Sequence, residues 1–202
     1  MLTRMDHNTP AESGHFHAVK FYDSRESLCR IVAEFLGEGL AGQQPVLVIA
    51  TPEHRAGIRA ELETRHFDVE LMQGAGDLLL LDAAETLSTF MVDGMPDDHL
   101  FVANMMGAID KVCGGRKDRT VRAYGEMVDV LWQNGQDVAA IRLEMLWNKL
   151  AATRDFALLC GYAMGTFYKD SGLTDINFQH SHVVHDQGLA ARALSTTIKT
   201  IN

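Results

Sequence analysis

The sequence encodes a three-layer αβα domain built on a mainly parallel sheet, and three features point there. Val46–Ala50 and Leu78–Leu81 are apolar at every position, as strands covered on both faces must be. Amphipathic helical patterns alternate with them, the signature of parallel strands joined by crossover helices. Thr51-Pro52 follows the first of these strands directly, with Thr51 as helix N-cap and Pro52 at the first helical position, where its missing N–H is harmless.

In chain order, the polar residues 1–14 carry no apolar period and read as a disordered leader. His17–Tyr22 alternates and is rich in aromatics, so a first strand is expected. Asp23 and Glu26 have the spacing of a capping box. Leu28, Ile31, Val32, Phe35, Leu36 and Leu40 then fall on one helical face, and Gly37, Gly39 and Gly42 weaken the last turns. The strand Val46–Ala50 leads into a helix expected to reach Arg65. Asp77–Asp82 is a second buried strand, and Asp82 with Glu85 repeats the capping-box spacing before a helix expected to reach Val92.

Gly94-Met95-Pro96 breaks the chain. Asp97–Cys113 reads as a helix stopped by Gly114-Gly115. Thr120–Val128 is strand-like and is expected to continue to Trp132, ahead of a turn at Asn134-Gly135. Asp137–Ala152 is a helix with Leu143, Leu146, Trp147 and Leu150 on one face, and Phe156–Tyr162 is the last strand. Residues 173–185 suit a short helix, and the tail after Asp186 suits another that docks elsewhere.

A length of 202 residues supports one core, and 47% hydrophobic with 22% charged residues is ordinary for a soluble domain. A formal charge of −9 argues against direct nucleic-acid binding, which needs a basic surface. The three cysteines, Cys29, Cys113 and Cys160, are far apart in apolar settings and suit free thiols in a reducing compartment. With no secretory pattern, and no apolar run near the roughly 20 residues a bilayer span needs, no membrane attachment and a cytoplasmic location are expected.

Several segments taken together carry a resemblance to a known family: His17–Tyr22, Gly39–Arg55, Leu81–Gly94, Arg122–Val128, Leu143–Asn148, Phe156–Tyr162 and Ser181–Val184. In that order they are similar to the MEDS family, the methanogen/methylotroph sensory domain first described in dichloromethane-responsive regulators. The resemblance covers about residues 15–185, leaving 1–14 as leader and 186–202 as tail. It implies a RecA/KaiC-like fold without a functional phosphate loop. It also implies a small, hydrocarbon-derived organic ligand, and signalling alongside DNA-binding or histidine-kinase modules. Neither module is seen in this sequence. Output through a regulatory partner protein, a histidine kinase or a transcription regulator, or through self-association, is therefore expected.

The turn Thr51–Arg55 lies where open αβα sheets bind ligands, at the carboxyl end of a parallel strand. Thr51 can offer its hydroxyl and His54 or Arg55 a positive charge, although the same residues also make a well-formed helix start. Neither a glycine run nor a lysine is present there to cradle phosphate. Glu126 sits at the end of another strand, where it could contact a ligand or cap nearby helix termini. Without a phosphate loop, hydrolysis is not expected, and the domain is read as non-enzymatic.

Trp147 could wall a ligand or fill the core, and Glu144 and Asn148 are one helical turn apart. His15 with His17, and His180 with His182 and His185, could meet at a metal only if the two ends of the domain met. No fixed Cys/His pattern supports that, and no metal or cofactor is expected. The ligand contacts expected from the sequence are thus His17, Tyr22, Thr51, His54, Arg55, Glu126, Trp147 and His182. Two alternatives stand beside the sensory one: a degenerate nucleotide binder, and a ligand-free protein adaptor.

Overall fold

The computed structural model describes residues 16–114, 116, 119–164 and 179–184. Six strands form one sheet: β1 (His17–Tyr22), β2 (Val46–Ala50), β3 (Leu78–Asp82), β6 (Val121–Gly125), β7 (Phe156–Ala163) and β8 (His182–Val183). Their order across the sheet is β3-β2-β6-β7-β1-β8, and every pairing is parallel. All carboxyl ends therefore open on one edge, and β1 and β2, joined by a single helix, are separated by β6 and β7.

Alternation along each strand feeds two cores. Val46, Val48 and Ala50 pack with α1 (Arg25–Ala41) and α2 (Pro52–Thr64), whereas Leu47 and Ile49 face α5 (Asp98–Cys113) and α7 (Asp137–Ala151). The helices are thus on both faces, in the three-layer αβα arrangement expected. The described residues also form the short helices α3 (Val69–Ala75), α4 (Ala83–Ser88) and α6 (Met127–Gln133).

Several boundaries differ from the sequence expectation. The first helix is capped by Ser24, whose side chain accepts from the Ser27 N–H, and not by Asp23. The helix expected to reach Val92 ends at Ser88. A two-residue antiparallel hairpin follows, β4 (Met91–Val92) and β5 (Met95–Pro96), because Asp93-Gly94 supplies the two positive φ angles of a tight hairpin turn. The strand expected to run to Trp132 stops at Gly125, and Met127–Gln133 is helical. Beyond Gly125 the backbone has no strand partner: the Glu126 N–H bonds to Ile49 C=O at the last rung, and the chain turns.

The helix α3 had no sequence expectation, though Asp68 caps it and Gly76 ends it in the left-handed region. Within 173–185, where a short helix is expected, Gln179 is helical and His182–Val183 add to the sheet beside β1. Residues 1–14, 173–178 and the tail after 186 lie outside the described residues, as do His15, Gly115 and His185. The three cysteines are buried and unbridged. Among the described residues no helix is long and apolar enough to cross a membrane.

Candidate functional site

The carboxyl edge gathers the chemistry. β1 ends at Tyr22, β2 hands over at Thr51 to α2, and β6 hands over at Glu126 to α6. Between them opens a crevice of about 640 Å3, lined by Tyr22, Thr51, His54, Glu126, Asp129 and Gln133 among others. Sequence and local structure explain each position. Thr51 and Glu126 are both N-cap residues immediately after strands, so they project from the sheet edge. Asp129 and Gln133 are one turn apart on α6 and face the same way.

Glu126 is buried and accepts three hydrogen bonds. One comes from the Thr51 N–H, one from His54 Nδ1 at 2.7 Å and one from the Tyr124 hydroxyl at 2.8 Å. A carboxylate only accepts, so His54 carries a proton on Nδ1. Tyr124 reaches Glu126 because residue 161 is glycine: a Cβ there would lie 2.5 Å from the tyrosine oxygen. Asp129 accepts from Tyr22 at 2.9 Å, from Gln133 Nε2 at 2.7 Å and from the Ala163 N–H at 3.1 Å. Tyr22 packs edge-on against the His54 ring, with centroids 5.6 Å apart, which joins the two carboxylate clusters into one wall.

The charges follow from burial. Burial opposes a charged His54, yet the hydrogen bond and charge of Glu126 outweigh it and raise the imidazole pKa. Burial raises the Asp129 carboxyl despite its three donors, with Glu126 adding to the effect. Tyr22 and Tyr124 are pushed up by burial and by the facing carboxylates, so both stay protonated donors.

This wall is the reverse of a phosphate cradle. Pro52 has no N–H, the Thr51 N–H is spent on Glu126, and the His54 N–H is directed to Thr51 Oγ1 at 3.5 Å. An anion entering the crevice would meet Glu53, Glu126 and Asp129 with few donors left to receive it.

Of the residues expected from the sequence, Tyr22, Thr51, His54 and Glu126 meet here. The other four do not. Arg55 turns aside to Asp82 at 2.9 Å, where it braces the start of α4. Trp147 is 1% exposed and lies in the core against Phe101 and Phe156, so it walls no crevice. His182 stacks on Phe16 at the sheet edge and contacts Ser181 Oγ at 2.8 Å.

His17 lies under the sheet, in a second and wholly buried cluster. Its Nε2 is 3.3 Å from Cys160 Sγ and 3.3 Å from Glu144 Oε2, and its ring packs 4.2 Å from that of His180. The charge and hydrogen bonds of His180 and His17 overcome burial and hold the Glu144 carboxyl below its usual range. Asp129 and Gln133 were not marked by the sequence, since Met127–Trp132 reads as strand. A smaller hollow of about 270 Å3 lies elsewhere, near Gln44, Met72 and Asp77, and there Arg116 already pairs with Asp77 at 2.8 Å.

Comparison with known proteins gives structural likenesses and one family. A KaiC-like protein from the hyperthermophilic archaeon Pyrococcus horikoshii OT3 superposes with a TM-score of 0.48 at 13% identity, over 83% of this chain and 70% of that one. No curated protein matches. The family model of MEDS, the methanogen/methylotroph, DcmR sensory domain, matches residues 16–181, a span that holds nearly all of the sheet and both clusters. The chain belongs to the MEDS sensory-domain family.

Proposed function

We propose that this domain is a non-enzymatic sensor that binds a small neutral or cationic organic molecule in the carboxyl-edge crevice and passes the change to a regulatory partner protein. The observation that carries this is the acidic wall of Glu126 and Asp129, which stands where a phosphate-binding protein of this layout would present free N–H groups. The carboxylates favour a ligand that donates hydrogen bonds or carries positive charge. His54 Nε2 and the Gln133 amide supply adaptable polar contacts, and the Tyr22 ring gives an apolar side.

Glu126 is a poor candidate for activating water, because its lone pairs already receive three donors and the turn lacks a lysine to balance developing charge. The two residues most able to report occupancy are His54 and Asp129. They belong to α2 and α6, so a ligand bridging them would bias the relative position of two helices. A partner such as a histidine kinase or a transcription regulator, or a second copy of the chain, would read that bias, provided the ligand prefers one arrangement.

The test is a thermal-shift panel of alcohols, aldehydes, halocarbons, amines and nucleotides. A bound ligand at a hundredfold excess over Kd stabilises by about 2.7 kcal/mol, a readily measured rise. A shift with a neutral or cationic compound that is lost in Gln133→Ala, with the fold retained, supports the site. A shift given by nucleotides alone points to the degenerate nucleotide binder. A response only to a co-purifying protein points to the adaptor.

A further inference from the structure

We infer that His17, Glu144, Cys160 and His180 form a binding site for one divalent transition-metal ion of the zinc class, separate from the carboxyl-edge crevice. The four side chains come from β1, α7, β7 and the segment entering β8. All are buried, and one donor atom from each lies within 4.8 Å of the others. The separations are 3.3 Å for His17 Nε2 to Glu144 Oε2, 3.3 Å for His17 Nε2 to Cys160 Sγ, 3.8 Å for Cys160 Sγ to Glu144 Oε2, and 3.4 Å for His180 Nε2 to Glu144 Oε1. A tetrahedral zinc site with ordinary bond lengths spaces nitrogen and oxygen donors about 3.4 Å apart, and sulfur from nitrogen about 3.6 Å. The three edges joining His17 Nε2, Cys160 Sγ and Glu144 Oε2 are therefore near those of such a tetrahedron, and His180 Nε2 approaches the same carboxylate through Oε1.

The surrounding hydrogen bonds orient the donors inward. Asn148 Nδ2 donates to the Gln179 carbonyl at 2.9 Å, which turns Asn148 Oδ1 toward His17 Nδ1 at 2.8 Å. His17 Nδ1 must then carry a proton, and Nε2 faces the cluster. Metal-bound histidines are oriented in this way by a partner on the other ring nitrogen. The Tyr162 hydroxyl donates to Glu144 Oε1 at 2.8 Å and orients the carboxylate.

Charge supplies the second argument. Two imidazoles and a thiol sulfur surround a buried carboxylate here, and a divalent cation can take the place of the protons that they share. A divalent ion with one thiolate and one carboxylate is net neutral, the least costly state for a buried group. Binding releases the Cys160 proton to solvent and leaves both imidazoles neutral. The mixed nitrogen, sulfur and oxygen set suits zinc or cobalt rather than magnesium or calcium. Four protein ligands make a closed site, so the ion would be structural. It would fasten the 179–184 segment, which already bonds to β1 through Ser181, onto the core.

The full chain, refolded from denaturant with Co2+ as the spectroscopic probe or with a chelator, gives the test. The expected result is one Co2+ per chain, ligand-field absorption of four-coordinate strength, a thiolate-to-cobalt charge-transfer band and a higher thermal midpoint than in chelator. Cys160→Ser should lose the charge-transfer band. Asn148→Ala should weaken binding by about 10–100-fold without removing a ligand. His54→Ala should bind cobalt as the unaltered chain does. Should Cys160→Ser not fold, His180→Ala at the sheet edge is read by stoichiometry instead, with at least a tenfold loss of affinity expected. No bound cobalt with equal midpoints in metal and chelator would overturn the assignment and leave a proton shared between His17 and Glu144. A charge-transfer band that survives Cys160→Ser would overturn it as well.

Discussion

His54 is the residue whose protonation the crevice controls. Its pKa is raised because Glu126 outweighs burial, so the folded form binds the proton more tightly than the unfolded chain does. The stabilisation is present in full below the unfolded value of 6.5 and is lost as the pH rises through the higher folded value. Urea unfolding across that window should show stability falling with pH, and His54→Gln should flatten the slope. An unchanged slope in that variant would remove His54 as its source.

Tyr124 makes a second prediction at the same scale. Tyr124→Phe takes one donor from a buried carboxylate and should cost about 1–3 kcal/mol, measured by the same unfolding. The four crevice residues legible in the sequence were legible because they sit at a strand end, at helix caps or, for His54, in the first turn of α2, where local chemistry declares itself. Trp147 was not, because a helical period says which face is buried but not whether that face meets a crevice or the core. Trp147→Ala should cost about 3–5 kcal/mol by opening a cavity beside Phe101 and Phe156. Its ligand-induced thermal shift should persist wherever the variant is folded.

The elements separate into those specified locally and those specified by the sheet. The start of α2 at Thr51-Pro52 was readable from capping chemistry alone, and β2 and β3 from their unbroken apolar runs. The helix α6 was not. Met127–Trp132 has the β-branched and aromatic residues of a strand, and its helical form follows from the end of pairing at Gly125. That misreading hid Asp129 and Gln133, whose shared face exists only in a helix. The two-residue hairpin at Asp93-Gly94 carried a strong local signal that the capping box upstream obscured.

Capping also gives a graded prediction. Asp97 accepts from the Leu100 N–H at 2.9 Å, whereas Thr51 accepts from the His54 N–H at 3.5 Å. Asp97→Ala should therefore destabilise by about 1 kcal/mol and Thr51→Ala by only about 0.5 kcal/mol, as read from chemical unfolding midpoints. Equal losses would mean that hydrogen-bond geometry at these caps does not set their contribution.

At the scale of the whole molecule, two polar clusters occupy different regions of one parallel sheet. The crevice lies at the carboxyl edge and the His17 cluster lies under the sheet where β1 begins. His17 and His180 are far apart in sequence, and only the parallel addition of β8 beside β1 brings them together, which no local pattern announces. The ligand set expected from the sequence therefore divides, with Tyr22, Thr51, His54 and Glu126 in the crevice and His17 in a separate buried site. The parallel sheet opens its carboxyl edge at the turn after β2, where the Thr51 N–H is held by Glu126 and two carboxylates line the crevice. Phosphate release from ATP by the purified full chain tests this most directly. The rate should equal that of ATP alone, with Glu126→Gln making no difference. Steady release that disappears in Glu126→Gln would contradict a crevice built for recognition without hydrolysis.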